Sequence, residues 1–223
     1  MNRWVGCGVL ALTLVACKAP LRPTVTSPTS SAISTPTSVA ELAAAIASDA
    51  QRSDHEPDSK VRGELATEAS RDADACLARE PQAVACLYGR AVALGLEARA
   101  HPTRAGELLG NMLERLASAE AADPDYDQAG PARVRALVLI RAPGWPLGPG
   151  DADAGLVAAR RAAALRPQYP PNLLALAEAL AKTGDSDGAR QNYQRARDAA
   201  QALPSTTERD GWLREADEAL RRK

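Results

Sequence analysis

From residue 39 onward, apolar side chains recur at intervals of three and four, and no run alternates with the period of two that a half-buried strand requires. The pattern predicts an all-α chain of about nine helices. Ser38-Val39-Ala40-Glu41 has the form of a capping box, and Leu42 and Ile46 continue one face to about Ser53, before His55-Glu56-Pro57-Asp58-Ser59 interrupts it. A second helix carries Leu65, Ala69, Ala73, Cys76 and Leu77, and a third opens at Pro81 with Val84, Leu87, Ala91 and Leu94. A fourth, from about Thr103, has the stripe Leu109, Met112, Leu113, Leu116 and Ala119 and ends at Asp123. Val134, Leu137 and Val138 mark a short fifth helix, stopped by the Pro- and Gly-rich residues 142–150. Asp151 caps a sixth helix through Leu165, Pro171 opens a seventh that stops at Gly184, and Asp185 caps an eighth. Ser205-Thr206-Thr207-Glu208 boxes a ninth, which holds Trp212, Leu213 and Ala216.

Spacing separates a bundle from a repeat array. Residues 172–196 fit one tetratricopeptide unit, with Leu173, Leu176, Ala177 and Leu180 on the first helix and Ala189, Tyr193 and Ala196 on the second. Ala177 and Ala189 are small where paired helices cross closely, and Gly184 suits the left-handed residue that ends the first helix. Stepping back 34 residues lands on Gly155, Ala159, Ala162 and Pro167, so the small residues and the closing proline recur. Farther upstream Pro81, Pro124 and Pro167 each follow a helix and stand 43 apart, the mark of longer, divergent hairpins. The expected fold is a tetratricopeptide-like α-solenoid of antiparallel helix hairpins.

The chain before residue 39 is different. Arg3 precedes a mostly apolar run over residues 4–16, shorter than the roughly 18–20 residues that span a bilayer, which reads as a secretory signal. Leu14-Val15-Ala16-Cys17 matches the bacterial lipobox, so Cys17 is expected to receive a diacylglycerol thioether as the preceding peptide is removed. Residues 20–38 are almost entirely Pro, Ser and Thr, a composition that reaches on the order of 25 Å as a coil and about 60 Å drawn out. The expected organisation is a signal peptide at 1–16, a lipidated tether at 17–38 and the helical domain at 39–223. That places the domain on the periplasmic side of a bacterial envelope, and Lys18, standing where inner-membrane retention uses aspartate in some bacteria, favours the outer membrane.

Charge and chemistry narrow the function. The chain has 27 Lys and Arg against 28 Asp and Glu, and losing Arg3 leaves a balance near minus two, which excludes nucleic acid as a partner held by clustered cations. Arg221, Arg222 and Lys223 complement the dipole of the last helix. With Cys7 removed and Cys17 acylated, Cys76 and Cys86 remain in an oxidising compartment on either side of a helix break. A disulfide between them is expected, with two buried free thiols as the alternative. Asp123, Asp125 and Asp127 have calcium-loop spacing, but Gln128 replaces the required glycine and Val134 the bidentate glutamate. His55 and His101 stand alone and read as surface or loop residues. With no nucleophile elbow, phosphate loop or paired zinc motif, neither catalysis nor a cofactor is expected.

Two stretches carry a family resemblance: DPDYDQAGPARVRALVLIRAPGWPLGPGDADAG from Asp123, and RPQYPPNLLALAEALAKTGDSDGAR from Arg166. Their most specific pieces are Pro143-Gly144-Trp145-Pro146, Gly150-Asp151, Pro170-Pro171-Asn172 and Ala177-Glu178-Ala179-Leu180. The chain resembles the TatT family, tetratricopeptide-repeat lipoproteins associated with some bacterial TRAP transporters. It departs from the family pattern of two glycines before a proline and an aromatic after it, having Ala129, Gly130, Pro131 and Ala132 there. The resemblance implies a periplasm-facing helper that docks a solute-binding protein, as an oligomer in one form, and hands over an apolar solute.

In a repeat array the first helix of each hairpin lines the concave face, which points to Leu174, Glu178 and Lys182, and to Arg133, Leu137 and Ile140, as contacts for a partner. Glu178 and Lys182 also stand four apart, where they can pair with each other on a solvated face. Trp145, between prolines, either plugs the core beneath its loop or reads a ligand, and its size favours the plug. Asn172 is expected to cap the seventh helix. Two functions stay open: an adaptor binding a polypeptide on its concave face, and a carrier holding a hydrophobic ligand. An open groove of mixed charge marks the first, and a leucine-lined pocket closed to water the second.

Overall fold

The computed structural model describes residues 38–222, so the signal, Cys17, nearly all of the tether and Lys223 lie outside the described residues. The helices are α1 (Val39–His55), α2 (Ser59–Arg79), α3 (Val84–Ala100), α4 (Ala105–Ala122), α5 (Tyr126–Arg141), α6 (Ala152–Leu165), α7 (Pro170–Lys182), α8 (Ser186–Gln201) and α9 (Thr207–Arg221), with a 3-10 turn at Pro102–Arg104. Several starts are set by side chains that satisfy backbone N–H groups the helix leaves free. Ser38 and Glu41 form the capping box of α1. Asp151 accepts from the Ala154 amide and Asp185 from the Gly188 amide. Gly184, at φ 92°, supplies the left-handed residue after α7.

Helices adjacent in sequence pack as antiparallel neighbours. A second set of contacts links α1 to α3, α3 to α5, α5 to α7 and α7 to α9, whereas the even helices have no close backbone contact with one another, α4 and α6 meeting through the Arg161–Glu120 ion pair. The odd helices therefore form one row and the even helices a second layer behind it, with α9 closing the row. Pro81, Pro124 and Pro167 all fall in the breaks between an even helix and the next odd one, so the 43-residue period is the period of the hairpin. The row is curved. Gln51 of α1 donates to Glu208 of α9 at 3.0 Å, so its two ends meet by side chains with the odd helices on the inside.

Alanine dominates the interior: Ala69, Ala73, Ala91, Ala93, Ala119, Ala136, Ala159, Ala162, Ala177 and Ala179 are fully buried, which lets helix axes approach closely. At two crossings a Cβ would crowd the facing helix. A Cβ on Gly89 would lie 2.9 Å from Ile46, and one on Gly155 would lie 2.5 Å from the Ile140 side chain. Cys76 and Cys86, both fully buried, are joined as a disulfide between α2 and α3, with Cα atoms 5.2 Å apart.

Some local expectations shift. The third helix starts at Val84, because Pro81 and Gln82 form a turn before it. On α4 it is Leu108 that is buried, with Leu109 and Leu113 packed at the margin. The ninth helix is capped by Thr206, one residue later than the Ser205 box, through its bond from the Arg209 amide. Asn172 does not cap α7. Tyr169 occupies that position without a side-chain bond, and Pro170 and Pro171 start the helix, where missing N–H groups cost nothing.

Two outcomes are expected in thermal or urea unfolding. Gly155→Ala should lose about 1–3 kcal/mol, since Ile140 is β-branched and cannot withdraw. Reduction of the Cys76–Cys86 bond, which closes a short loop, should lose about 2–3 kcal/mol.

Candidate functional site

The inner row carries a groove in three connected parts. The largest, about 580 Å³, has Val92, Leu96, Met112, Val134, Leu137 and Val138 among its walls, with Asp54, Arg99 and Arg141 at its edge. A second recess of about 370 Å³ lies between α1, α3 and the start of α5, lined by Ala43, Ala47, Ala85, Tyr88, Tyr126 and Asp127 and sharing Val92 with the first. The third, about 180 Å³, runs across α5, α7 and α9 over Leu174, Ala175, Trp212 and Glu215, and shares Leu137 and Arg141 with the first. The floor is apolar, and two arginines along it find partners within the protein. Arg99 donates twice to Asp54 at 2.9 Å, and Arg141 clamps Glu178 at 2.8 and 2.5 Å.

Beneath the middle of this groove lies a buried cation. Arg133, 8% exposed, donates from Nη1 to the carbonyls of Asp127 and Gln128 and to Asn172 Oδ1, and from Nη2 to Asp127 Oδ2 at 2.8 Å. Asn172, fully buried, turns its amide the other way, donating to the carbonyls of Gln128 and Ala162, both at 3.0 Å. Tyr88 donates to the same Asp127 oxygen at 3.0 Å, and burial followed by the Asp127 charge pushes its hydroxyl pKa well up, so it stays a donor. The guanidinium also sits 5.3 Å from the ring centre of Tyr169, a cation–π contact.

This cluster holds an unfavourable backbone. Asp127, Gln128 and Ala129 have φ of 49°, 57° and 64°, one turn of left-handed helix made of residues with side chains. Left-handed geometry costs roughly 1–2 kcal/mol per residue, so the turn persists because Arg133 and Asn172 bind its carbonyls. The right-handed part of α5 follows from Gly130 and Pro131, the proline falling where its lost N–H is harmless. Only glycine fits at 130, as a Cβ there would lie 2.7 Å from Asp127 Oδ2 and 2.9 Å from the Tyr88 hydroxyl.

Among the expected contact residues, Arg133, Leu137 and Leu174 do line the inner row, but Arg133 is spent on structure and Leu174 is a buried floor residue. Ile140 is 3% exposed and packs against α6, because α5 turns that side to its own hairpin partner. Glu178 pairs with Arg141 across the groove rather than with Lys182, which is exposed at the end of α7. Trp145 is no core plug. It is 91% exposed, because backbone bonds from the Gly150 amide to Pro143 and from the Asp151 amide to Leu139 pull the loop tight and leave the indole outside. Asp125 pairs with Arg166 and Asp127 with Arg133. Among the described residues no cluster of His, Cys, Asp and Glu is placed to hold a metal, and His55 and His101 are exposed.

The sequence pattern places Trp212 on the ninth helix but does not bring the aromatic residues together as a site. Tyr88 and Tyr126 meet edge to face at 5.4 Å, and Tyr169 and Trp212 at 5.7 Å, so four of the chain's seven aromatic side chains gather around Arg133. A signal was there: Pro124-Asp125-Tyr126 and Pro167-Gln168-Tyr169 repeat one Pro-x-Tyr at the 43-residue period. Tyr, Trp and Arg are the types that carry most binding energy at protein interfaces.

No family model matches the chain, and none of the curated proteins matches it. Among solved structures the chain is similar to that of a thermophilic TPR (tetratricopeptide-repeat) protein of Thermus thermophilus. The match has 21% identity and a TM-score of 0.55, and covers 82% of this chain and 92% of that one. The likeness is one of fold: the chain is an all-α, TPR-like solenoid of helical hairpins.

Opposite mutational effects test the clamp. Gln128→Gly should gain about 0.5–1 kcal/mol, because the exposed side chain is lost without cost and glycine accepts the left-handed angle. Asn172→Leu should lose about 2–4 kcal/mol by stranding Arg133 and two carbonyls. Urea denaturation of the two variants against the parent checks both signs.

Proposed function

We propose that this chain is an envelope adaptor, lipid-anchored through Cys17 and facing the periplasm, that seats a polypeptide on its inner row of helices. The partner that fits the family resemblance is a TRAP-type solute-binding protein. One observation carries the reading: a continuous open groove along α1, α3, α5, α7 and α9, apolar in its floor, with Arg–carboxylate pairs at its edges and an aromatic–arginine cluster at its centre. The lipobox and the Pro/Ser/Thr stretch support the anchoring. Among the described residues no helix is long and apolar enough to cross a membrane. The TPR-like fold supports a binding rather than a catalytic role, since stacked hairpins present extended surfaces.

A second reading draws on the groove's largest part. At about 580 Å³, walled by Val92, Leu96, Met112 and Leu137, it has the size of a small-ligand site, so a carrier of a hydrophobic or lipid-like molecule also fits. The open face and the paired charges weigh for the polypeptide.

A photo-crosslinking residue at Leu137 in intact cells separates the two, with exposed Arg160 on the outer layer as control. A solute-binding protein recovered from position 137 and not from 160 is expected, and recovery of lipid alone rejects the adaptor. Leu137→Asp should weaken binding of that protein at least about tenfold, as burial of an unpaired charge at an interface centre does.

A further inference from the structure

The loop between α5 and α6 has a surface that the groove does not use. Residues 142–150 contain no charged side chain. The loop is held by backbone bonds from the Leu147 amide to Gly144 (3.1 Å), from the Gly150 amide to Pro143 (2.9 Å) and from the Asp151 amide to Leu139 (2.8 Å). Glycines are required for this closeness: a Cβ on Gly150 would collide with the Ala142 carbonyl, and one on Gly148 would lie 2.8 Å from that of Pro143. The start of α4 braces the outside, where a Cβ on Gly106 would lie 2.9 Å from the Leu147 carbonyl. From this fixed frame Trp145 and Leu147 project, 91% and 76% exposed, the two most exposed large apolar side chains among the described residues. A flexible loop would fold such residues back onto the surface; this one cannot.

We infer that the Trp145–Leu147 loop is a bilayer contact, inserted at the headgroup level of the membrane to which the chain is tethered. The inference rests on the anchoring reading above, through Cys17. Three observations favour lipid over protein. The two side chains offer on the order of 400 Å², about half of the ~800 Å² that a stable protein partner covers on each side. A tethered wedge needs no such area, because the tether already supplies proximity. Tryptophan pairs an apolar body with one N–H donor, the combination that settles at membrane–water interfaces.

The geometry is also compatible. Asp54, Arg99 and Pro143 line one end of the groove, so the loop lies beside the C-terminal ends of α1 and α3. The tether joins α1 at the other end, about 25 Å away along a helix of 17 residues, within the ~60 Å that the Pro/Ser/Thr stretch spans when drawn out. The nearby cations Arg99, Arg104 and Arg141 are each paired with a carboxylate, so insertion should not depend on anionic lipid.

The test uses the full chain purified from bacterial membranes and placed in vesicles containing bromine-labelled phosphatidylcholine, which quenches indole only on contact. Tryptophan emission is read beside the mass of the N-terminal peptide. With Cys17 acylated, quenching is expected in the native protein, equal in neutral and phosphatidylglycerol-containing vesicles, and lost in Trp145→Ala, which still has Trp212. Acylated Cys17 with Trp145 unquenched overturns the inference alone, as does quenching that survives in Trp145→Ala. Quenching confined to anionic vesicles overturns it too. An unmodified Cys17 overturns the anchoring reading and takes this inference with it.

Discussion

A buried guanidinium organises the middle of this protein. Arg133 binds two carbonyls of a left-handed turn, the Asp127 carboxylate and the Asn172 amide, while its face covers Tyr169. Those groups come from the left-handed first turn of α5, from the residue before α7 and from the start of α7, so one side chain fixes how successive hairpins of the array are set against each other. A cation in that place would be costly without partners, and a left-handed turn would be costly without a clamp. Each makes the other tolerable.

The aromatic cluster follows from the same arrangement. Tyr88 reaches Asp127 from α3, and Trp212 reaches Tyr169 from α9, so the rings surround the clamp and are displayed at the floor of the groove. Structural support and groove lining are thus built from the same residues. The groove offers apolar area and oriented rings, whereas Arg99 and Arg141 at its edge are already engaged by Asp54 and Glu178.

Much of the fold was legible in the sequence because helical arrays are locally encoded. The capping box at Ser38, the caps Asp151 and Asp185 and the stop at Gly184 each depend on neighbours within four residues, and each was readable. The 43-residue proline period exposed the hairpins for the same reason. The misread positions depend on partners far along the chain. Asn172 stands where a cap belongs by local pattern, yet its partners are Arg133, Gln128 and Ala162. Ile140 shares a helical stripe with groove residues, but its side of α5 meets α6. The size of Trp145 favours burial, and only the backbone pairing of its loop shows that it points out.

The contact between Gln51 and Glu208 turns a curved row into a ring with a seam. One hydrogen bond between two exposed side chains is worth roughly 1 kcal/mol at most, and taken alone leaves the seam parted in at least about one molecule in six. For the polypeptide partner proposed above, such a seam lets a loop on a folded protein enter sideways, whereas a strongly sealed ring would admit only threaded ends.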